Sequence, residues 1–230
     1  GSPTGHIYVA DRTAGLRAVN VSNANAPTES GAINILAPAS GTAFTSFLHD
    51  NKAYVAYGTA GLRIIDVANP TNPTLLGTID TPGDARAVVV SGNYAYVADR
   101  DAGVRVIDVS NASAPVEVAN VATPRARGVA ISGNYVYVAA SDSGLVVLDI
   151  STPASPKWVK SLPALYGENV AAAGNVAAIT DYGKIRFYDI SNPANPVSKG
   201  ETARFSHGNE GFAIASNYAY IPDGEKWLGS

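Results

Sequence analysis

The sequence contains no cysteine and no methionine. Disulfides, thiolate metal sites and cysteine nucleophiles are therefore excluded. Charged residues make up only 15% of the chain, and a net charge of −3 provides no basic excess to neutralise a phosphate backbone. No run of about 18 apolar residues is long enough to cross a bilayer as a helix. We expect neither nucleic-acid binding nor membrane insertion.

The residues that are abundant favour an all-β protein. Hydrophobic residues make up 46% of the 230 positions, and 22 Gly and 14 Pro are spread along the whole length. That mixture is typical of many short strands joined by tight turns, and the length suits one domain over residues 1–230. Gly1-Ser2 resembles the remnant of an expression tag, so we expect any signal or anchor to be missing from this chain.

A repeat of roughly 42 residues organises the chain. The phrase Tyr-Val-Ala-Asp or a variant begins at Tyr8, Tyr54, Tyr96, Tyr137, Ala178 and Tyr220. Variants of Gly-Leu-Arg-x-x-Asp follow five of these phrases, and each is succeeded by a turn rich in Ser, Asn and Pro. An apolar segment and a Gly-Asn turn precede several of the Tyr-Val-Ala-Asp phrases. This order predicts four antiparallel strands per repeat, for example over 86–91, 94–99, 103–110 and 115–121.

Four-stranded units of this size are typical of β-propeller blades. Within the second strand of a unit both faces carry apolar side chains, as in Tyr94 to Asp99. Because a single blade buries only one face, we expect neighbouring blades to stack face to face. The predicted fold class is an all-β propeller of four-stranded antiparallel blades.

Three equivalent segments of the repeat resemble a known family. Gly-Val-Arg-Val-Ile-Asp-Val-Ser at 103–110, together with 61–68 and 144–151, is similar to the LVIVD-repeat proteins. The resemblance implies a propeller scaffold and an exported or cell-surface setting, mostly in bacteria and archaea. It carries no catalytic motif over to this chain.

The strand count bears on closure of the ring. Twenty-one strands are predicted, which favours five blades closed by both termini. In that arrangement residues 210–215 supply the innermost strand of the N-terminal blade, while 218–222 competes with 6–10 for one place. The alternative is a truncated six-bladed propeller, whose open sheet edges permit self-association.

Candidate ligand-binding positions precede the first strand of each repeat. Alignment of the repeats places one aromatic, two cations and two carboxylates at equivalent positions, with one histidine nearby: Phe44, Arg86, Arg127, Glu168, Glu210 and His207. They are compatible with a polar pocket at the channel mouth for a small anionic or sugar-like ligand. The sequence favours the alternative, a set of Arg–Glu pairs that only stabilises the channel.

Other polar residues favour structural roles. The three histidines do not align, so we expect no metal site, and no motif indicates a cofactor. The recurring third-strand aspartates (Asp66, Asp108, Asp149 and Asp189) stand just before turns and are predicted to cap them.

The sequence leaves two functions open. The first is a non-enzymatic interaction or scaffold module of an exported or cell-surface protein, which binds an unknown protein or a glycan through one loop face. The second is a small-molecule or enzymatic site at the channel mouth. No known catalytic signature is present in the sequence, which favours the first.

Overall fold

The computed structural model describes residues 5–35, 41–163, 166–204, 212–215 and 218–220. These residues form strands and turns, and no helix occurs among them. The twenty-one strands are β1 His6–Ala10, β2 Leu16–Asn20, β3 Thr28–Ile33, β4 Thr45–His49, β5 Lys52–Ala56, β6 Leu62–Asp66, β7 Thr74–Ile79, β8 Ala87–Ser91, β9 Tyr94–Ala98, β10 Val104–Asp108, β11 Val116–Val121, β12 Gly128–Ser132, β13 Tyr135–Ala139, β14 Leu145–Asp149, β15 Lys157–Leu162, β16 Val170–Ala173, β17 Val176–Asp181, β18 Lys184–Asp189, β19 Val197–Glu201, β20 Ala213–Ala215 and β21 Tyr218–Tyr220.

Consecutive strands pair into antiparallel sheets, which we number in chain order. Sheet 1 is β1–β3, sheet 2 β4–β7, sheet 3 β8–β11, sheet 4 β12–β15, sheet 5 β16–β19 and sheet 6 β20–β21. Sheets 2 to 5 have the predicted four strands. The chain divides into two compact units, residues 1–120 and 121–230.

The C-terminal strands differ from the expected closure. The described part of residues 210–215, Ala213–Ala215, pairs with Tyr218–Tyr220. Among the described residues sheet 1 keeps three strands, so its completion by this segment is not found. A very short connection favours the local hairpin, which is also how the first two strands pair in sheets 2 to 5.

Within each unit, neighbouring sheets pack face to face. In the first unit Tyr54 and Leu62 of sheet 2 pack with Val97 and Ile107 of sheet 3. The opposite face of sheet 2, which carries Val55, packs on sheet 1. In the second unit sheets 4 and 5 share a core in the same manner. Alternation of side chains thus buries both faces of the central strands, as the repeat predicts.

Turn geometry follows from the residues at each hairpin. Gly92, Gly133 and Gly174 open the Gly-Asn turns with φ values of 54°, 56° and 54°. Asp50 and Asn51, which replace this pair in sheet 2, both have positive φ. Asn and Asp are the non-glycine residues that tolerate this region best, so a two-residue hairpin also forms in sheet 2, although in the Gly-Asn turns only the glycine has positive φ.

Candidate functional site

The predicted site residues stand at one end of their sheets. Phe44, Arg86 and Arg127 directly precede the first strands of sheets 2, 3 and 4, and Glu168 lies two residues before that of sheet 5. We call the segment before each first strand the first-strand loop. The turn between the second and third strands lies at the same end: an isolated bridge joins Gly58 of sheet 2 to the first-strand loop of sheet 3.

In the first unit the site residues form an Arg86 cluster, which consists of Phe44, Asp84, Arg86 and Arg100. The Arg86 guanidinium lies 4.0 Å from the centre of the Phe44 ring. Its Nη2 donates to Asp84 Oδ2 at 2.7 Å, and Arg100 Nη1 donates to the same oxygen at 3.2 Å. Two cations therefore share one carboxylate, which leaves one positive charge in excess.

In the second unit they form an Arg127 cluster, which consists of Arg127, Tyr166, Glu168, Tyr182 and Arg204. Arg127 Nη1 donates to Glu168 Oε1 at 2.5 Å, and Nη2 donates to the Tyr166 hydroxyl at 3.2 Å. The Tyr166 and Tyr182 rings meet edge to face with 6.3 Å between centroids. Arg204 lies over the Tyr182 ring at 5.3 Å. This cluster also holds two arginines and one carboxylate.

Buried aspartates at the ends of second strands hold two of the first-strand loops. Asp99 is fully buried and accepts hydrogen bonds from Thr81 Oγ1 at 2.7 Å and Gly83 N at 2.9 Å. Burial raises the pKa of Asp99, although both hydrogen bonds act in the opposite direction. Asp181, which is 2% exposed, accepts from Tyr166 N at 3.0 Å and pairs with Arg186. The backbone beneath each cluster is thereby anchored to its sheet.

Two members of the clusters come from a position that the sequence prediction missed. One position of the repeat, which follows Asp11, Asp99 and Asp181 and their equivalents Tyr57 and Ala140, has positive φ in sheets 1 to 5: Arg12, Gly58, Arg100, Ser141 and Tyr182. This fixed turn aims a variable side chain towards the first-strand loops, and it brings Arg100 and Tyr182 into their clusters. The signal was present in the sequence, because these residues occupy one register of the repeat.

A comparison with known protein families identifies the repeat. The LVIVD repeat matches residues 5–35, 47–81, 82–123, 125–162 and 166–203. The chain belongs to the LVIVD-repeat family. This family assignment confirms the resemblance based on 103–110.

Solved structures show the fold of this LVIVD-repeat protein. A functionally unknown protein from Desulfotomaculum acetoxidans is similar with a TM-score of 0.73 and 12% identity, over 89% of this chain and 67% of that one. The periplasmic gluconolactonase of Pseudomonas aeruginosa gives 0.69 and 12%, over 85% and 66%. The computationally designed Ika8 protein gives 0.64 and 11%, over 94% and 64%. The neighbours are β-propeller-like, so the all-β propeller prediction is confirmed.

The chain spans about two thirds of the length of these three structures. Identities of 11 to 12% show the fold and nothing about activity. No curated protein matches the sequence.

The six predicted site residues divide into two groups. His207 and Glu210 lie outside the described residues. The others come together in pairs, Phe44 with Arg86 and Arg127 with Glu168. Within the described ranges no group of three His, Asp or Glu side chains is arranged to hold a metal ion. The same part of the chain contains no helix with the length and hydropathy needed to cross a membrane.

The third-strand aspartates have the predicted capping role. Asp66, Asp108, Asp149 and Asp189 each accept a hydrogen bond from the backbone N–H two residues later, at 2.8 to 2.9 Å. Hydrogen bonds from Ser191 are the main reason that the pKa of Asp189 falls to about 2. Since these carboxylates stabilise turns, they need no ligand to explain their recurrence.

An apolar groove of about 490 Å³ lies between sheets 5 and 6 in the second unit. Val176, Phe187, Ile214 and Tyr218 contribute to its lining, together with Lys199 and Glu201. Both charged groups are already paired, Lys199 with Asp189 at 3.1 Å and Glu201 with Lys184. Its described lining therefore offers no unpaired charged group to orient a small ligand.

Proposed function

We propose that this LVIVD-repeat protein is a non-enzymatic interaction module of an exported or cell-surface protein. It binds a protein or a glycan through the first-strand loops of its sheets. The observation that carries this proposal is the pair of clusters, Arg86 in one unit and Arg127 in the other. Each combines at least one aromatic ring with two arginines and one carboxylate, on a backbone held by hydrogen bonds.

The pairing of charges in the clusters favours recognition over catalysis. A general base or nucleophile needs a reactive atom that is not already committed to a structural partner. Asp84 receives two arginines, and Glu168 receives Arg127 at 2.5 Å. Ion pairs of this kind hold side chains in place, so the surface is preorganised for a partner.

The excess positive charge indicates the sign of the partner. Asp84 is 22% exposed and its two arginines are 32% and 36% exposed, so the Arg86 cluster is accessible to solvent. Arginine binds carboxylate and phosphate groups through its planar fork, and aromatic rings next to it add apolar contact. An acidic group on the partner, whether protein or glycan, complements each cluster.

The proposed cellular setting rests on composition and family. The absence of cysteine agrees with a protein that works outside the cytoplasm without needing disulfides. The expectation of export comes from what the resemblance to LVIVD-repeat proteins implies, and the family match itself covers only the repeat.

The test is a binding screen with matched variants. The protein is immobilised and probed with neutral and acidic oligosaccharides and with neutral and acidic peptides. Arg86→Gln and Arg127→Gln each remove one positive charge from a cluster. Lys52→Gln and Lys199→Gln remove one charge at the opposite end of a sheet in the same unit and serve as controls.

The proposal predicts saturable binding to at least one acidic probe, weakened several-fold by Arg86→Gln or Arg127→Gln and unchanged by the controls. Equal binding by all four variants would place recognition elsewhere. Steady conversion of a probe into a product would show an enzyme instead.

A further inference from the structure

The Arg127 cluster contains a stacked arginine for which the described part of the chain provides no anionic partner. Arg204 lies over the Tyr182 ring at 5.3 Å, and no described carboxylate pairs with it. Stacking orients the guanidinium plane while its N–H groups remain able to donate. The arrangement is thus an oriented cation that is ready for an acidic group.

The aromatic part of the cluster is equally accessible. Tyr182 is exposed at 59%, so much of its ring is accessible to a ligand. Its φ of 50° is set by the turn that recurs in each sheet, so the ring is presented from a fixed backbone. Tyr166 stands edge-on to it at 6.3 Å, which leaves the two rings approximately perpendicular.

The Tyr166 hydroxyl adds a hydrogen-bond donor beside the rings. It accepts a hydrogen bond from Arg127 Nη2 at 3.2 Å. Among the described residues no acceptor takes its own hydrogen. A ligand oxygen next to Tyr166 would therefore meet a donor polarised by the arginine behind it.

The backbone of this loop offers little to a peptide. Four consecutive N–H groups, from Tyr166 to Asn169, already donate to Asp181 Oδ1, the Ser141 carbonyl and, twice, to Thr180 Oγ1. An extended peptide that adds to a protein surface depends largely on unpaired main-chain groups. These N–H groups are therefore not available to a ligand, and we expect recognition here to depend mainly on side chains.

We propose that the Arg127 cluster binds an acidic carbohydrate, with a uronate ring stacked on Tyr182 and its carboxylate held by Arg204. The C–H face of a pyranose is apolar enough to lie on an aromatic ring, and Tyr166 donates to a ring hydroxyl. The carboxylate supplies the counter-charge that no described residue provides for Arg204. This inference rests on the proposed function and names its ligand class in the second unit.

The experiment is a calorimetric titration of the full chain with trigalacturonate at low ionic strength. Neutral maltotriose, a tetraglutamate peptide and inorganic phosphate are titrated separately. Trigalacturonate should bind saturably and with the highest affinity of the four. Maltotriose lacks the carboxylate, tetraglutamate lacks the sugar ring, and phosphate lacks both.

Two substitutions separate the stacking and the charge. Tyr182→Asn removes the ring but keeps a residue type that tolerates positive φ, and it should raise the Kd about tenfold. Arg204→Gln should raise it about as much. Tyr182→Trp should retain binding because it keeps an aromatic face. The control Lys199→Gln, which removes another exposed cation from the same unit, should change the Kd less than twofold.

The outcomes distinguish the two proposals. If trigalacturonate does not bind, or binds Tyr182→Asn and Arg204→Gln as tightly as the native chain, the acidic-carbohydrate site is wrong. Tighter binding of tetraglutamate or of phosphate alone would also overturn it. Loop-face binding of another probe that is weakened by Arg86→Gln would still support the broader proposal. Circular dichroism of each variant confirms that a lost signal does not reflect unfolding.

Discussion

Sheets 3 and 4 contain the same four-stranded repeat, but the ends of their second strands differ. Sheet 3 ends this strand with Asp99, which holds Thr81 and Gly83 of its first-strand loop. Sheet 4 has Ala140 at the equivalent position. There the corresponding threonine, Thr123, donates to the carbonyl of Val121 at 3.1 Å instead. The first-strand loop is thus held by a second-strand carboxylate in sheet 3, whereas in sheet 4 its threonine bonds to the backbone.

The difference shows that the second-strand aspartate is an anchor and not a general requirement of the fold. Ala140 is fully buried, and the neighbouring Ser141 has a buried hydroxyl with no hydrogen-bond partner in the described part of the chain. The first-strand loop of sheet 4 is also one residue shorter between its proline and its first strand. A shorter loop needs less anchoring because fewer backbone groups must be satisfied.

The strongest test of this comparison is Ala140→Asp. The new carboxylate would be buried where Thr123 already bonds within its own loop, so it would lack the threonine donor that Asp99 has in Thr81. We expect a loss of about 3 kcal/mol in the free energy of unfolding, measured by urea denaturation near neutral pH. Unchanged stability would show that the short loop rearranges to cap the carboxylate. Ala140→Ser serves as the control, because it adds a polar group without a charge at the same position and should cost less stability.

The reverse change, Asp99→Ala, removes the anchor from sheet 3. The buried Thr81 hydroxyl and the Gly83 N–H would each lose an ionised acceptor. The expected loss is about 2 kcal/mol by the same denaturation measurement, since hydrogen bonds to charged groups exceed ordinary ones. Thr81→Val, which removes only one of the two bonds, should cost about half as much. A loss below that of the control would contradict the anchoring role.

Asp181→Ala should have a smaller effect. Asp181 anchors Tyr166 and pairs with Arg186, but the Arg186 side chain is 34% exposed, so solvent screens part of the ion pair. We expect a loss of about 1 kcal/mol. Because Tyr166 carries the edge-to-face contact with Tyr182, the near-ultraviolet circular dichroism of the tyrosines should also change. An unaltered tyrosine signal would mean that the loop keeps its conformation without the anchor.

The smallest expected effect is that Asp99→Asn changes how the free energy of unfolding depends on pH. Burial raises the pKa of Asp99 above its ordinary 3.8, so the unfolded chain releases this proton first. The contribution of this group to the free energy of unfolding therefore decreases as the pH rises through the interval above 3.8. In Asp99→Asn this decrease with pH should be absent. Asp108→Asn is the matched control of opposite sign. Hydrogen bonds from Ser110 lower the pKa of Asp108, so its contribution is lost as the pH falls.

The expected slope is measured as the free energy of unfolding at intervals between pH 3 and about pH 7. Parallel curves for the native chain and Asp99→Asn would show that the buried carboxyl titrates as it does in the unfolded chain.

Much of the architecture follows from short-range patterns in the sequence. The predicted strand 94–99 and its neighbours match the observed bounds within two residues. The Gly-Asn hairpins and the turn caps of the third-strand aspartates depend on contacts two or three residues apart. Local interactions of this kind are encoded in adjacent residues, so a repeat makes them visible.

The candidate site was predicted only in part. Alignment of the repeats correctly singled out Arg86 and Arg127 as members of polar clusters. It did not reveal Tyr182 or Arg204, which lie 55 or more residues from Arg127 along the chain. Whether a site forms there depends on how two sheets pack and on the direction of one turn.

The repeat by itself determined the family, the four-stranded sheets, the hairpin turns and the two apolar faces of each sheet. Each of these depends on side-chain alternation and on residues near one another in the chain. Tertiary structure alone decided which carboxylate holds which loop, which arginines share Asp84, and which ring lies beneath Arg204. Such contacts join residues from different strands and sheets, and their distances are set only once the sheets have packed.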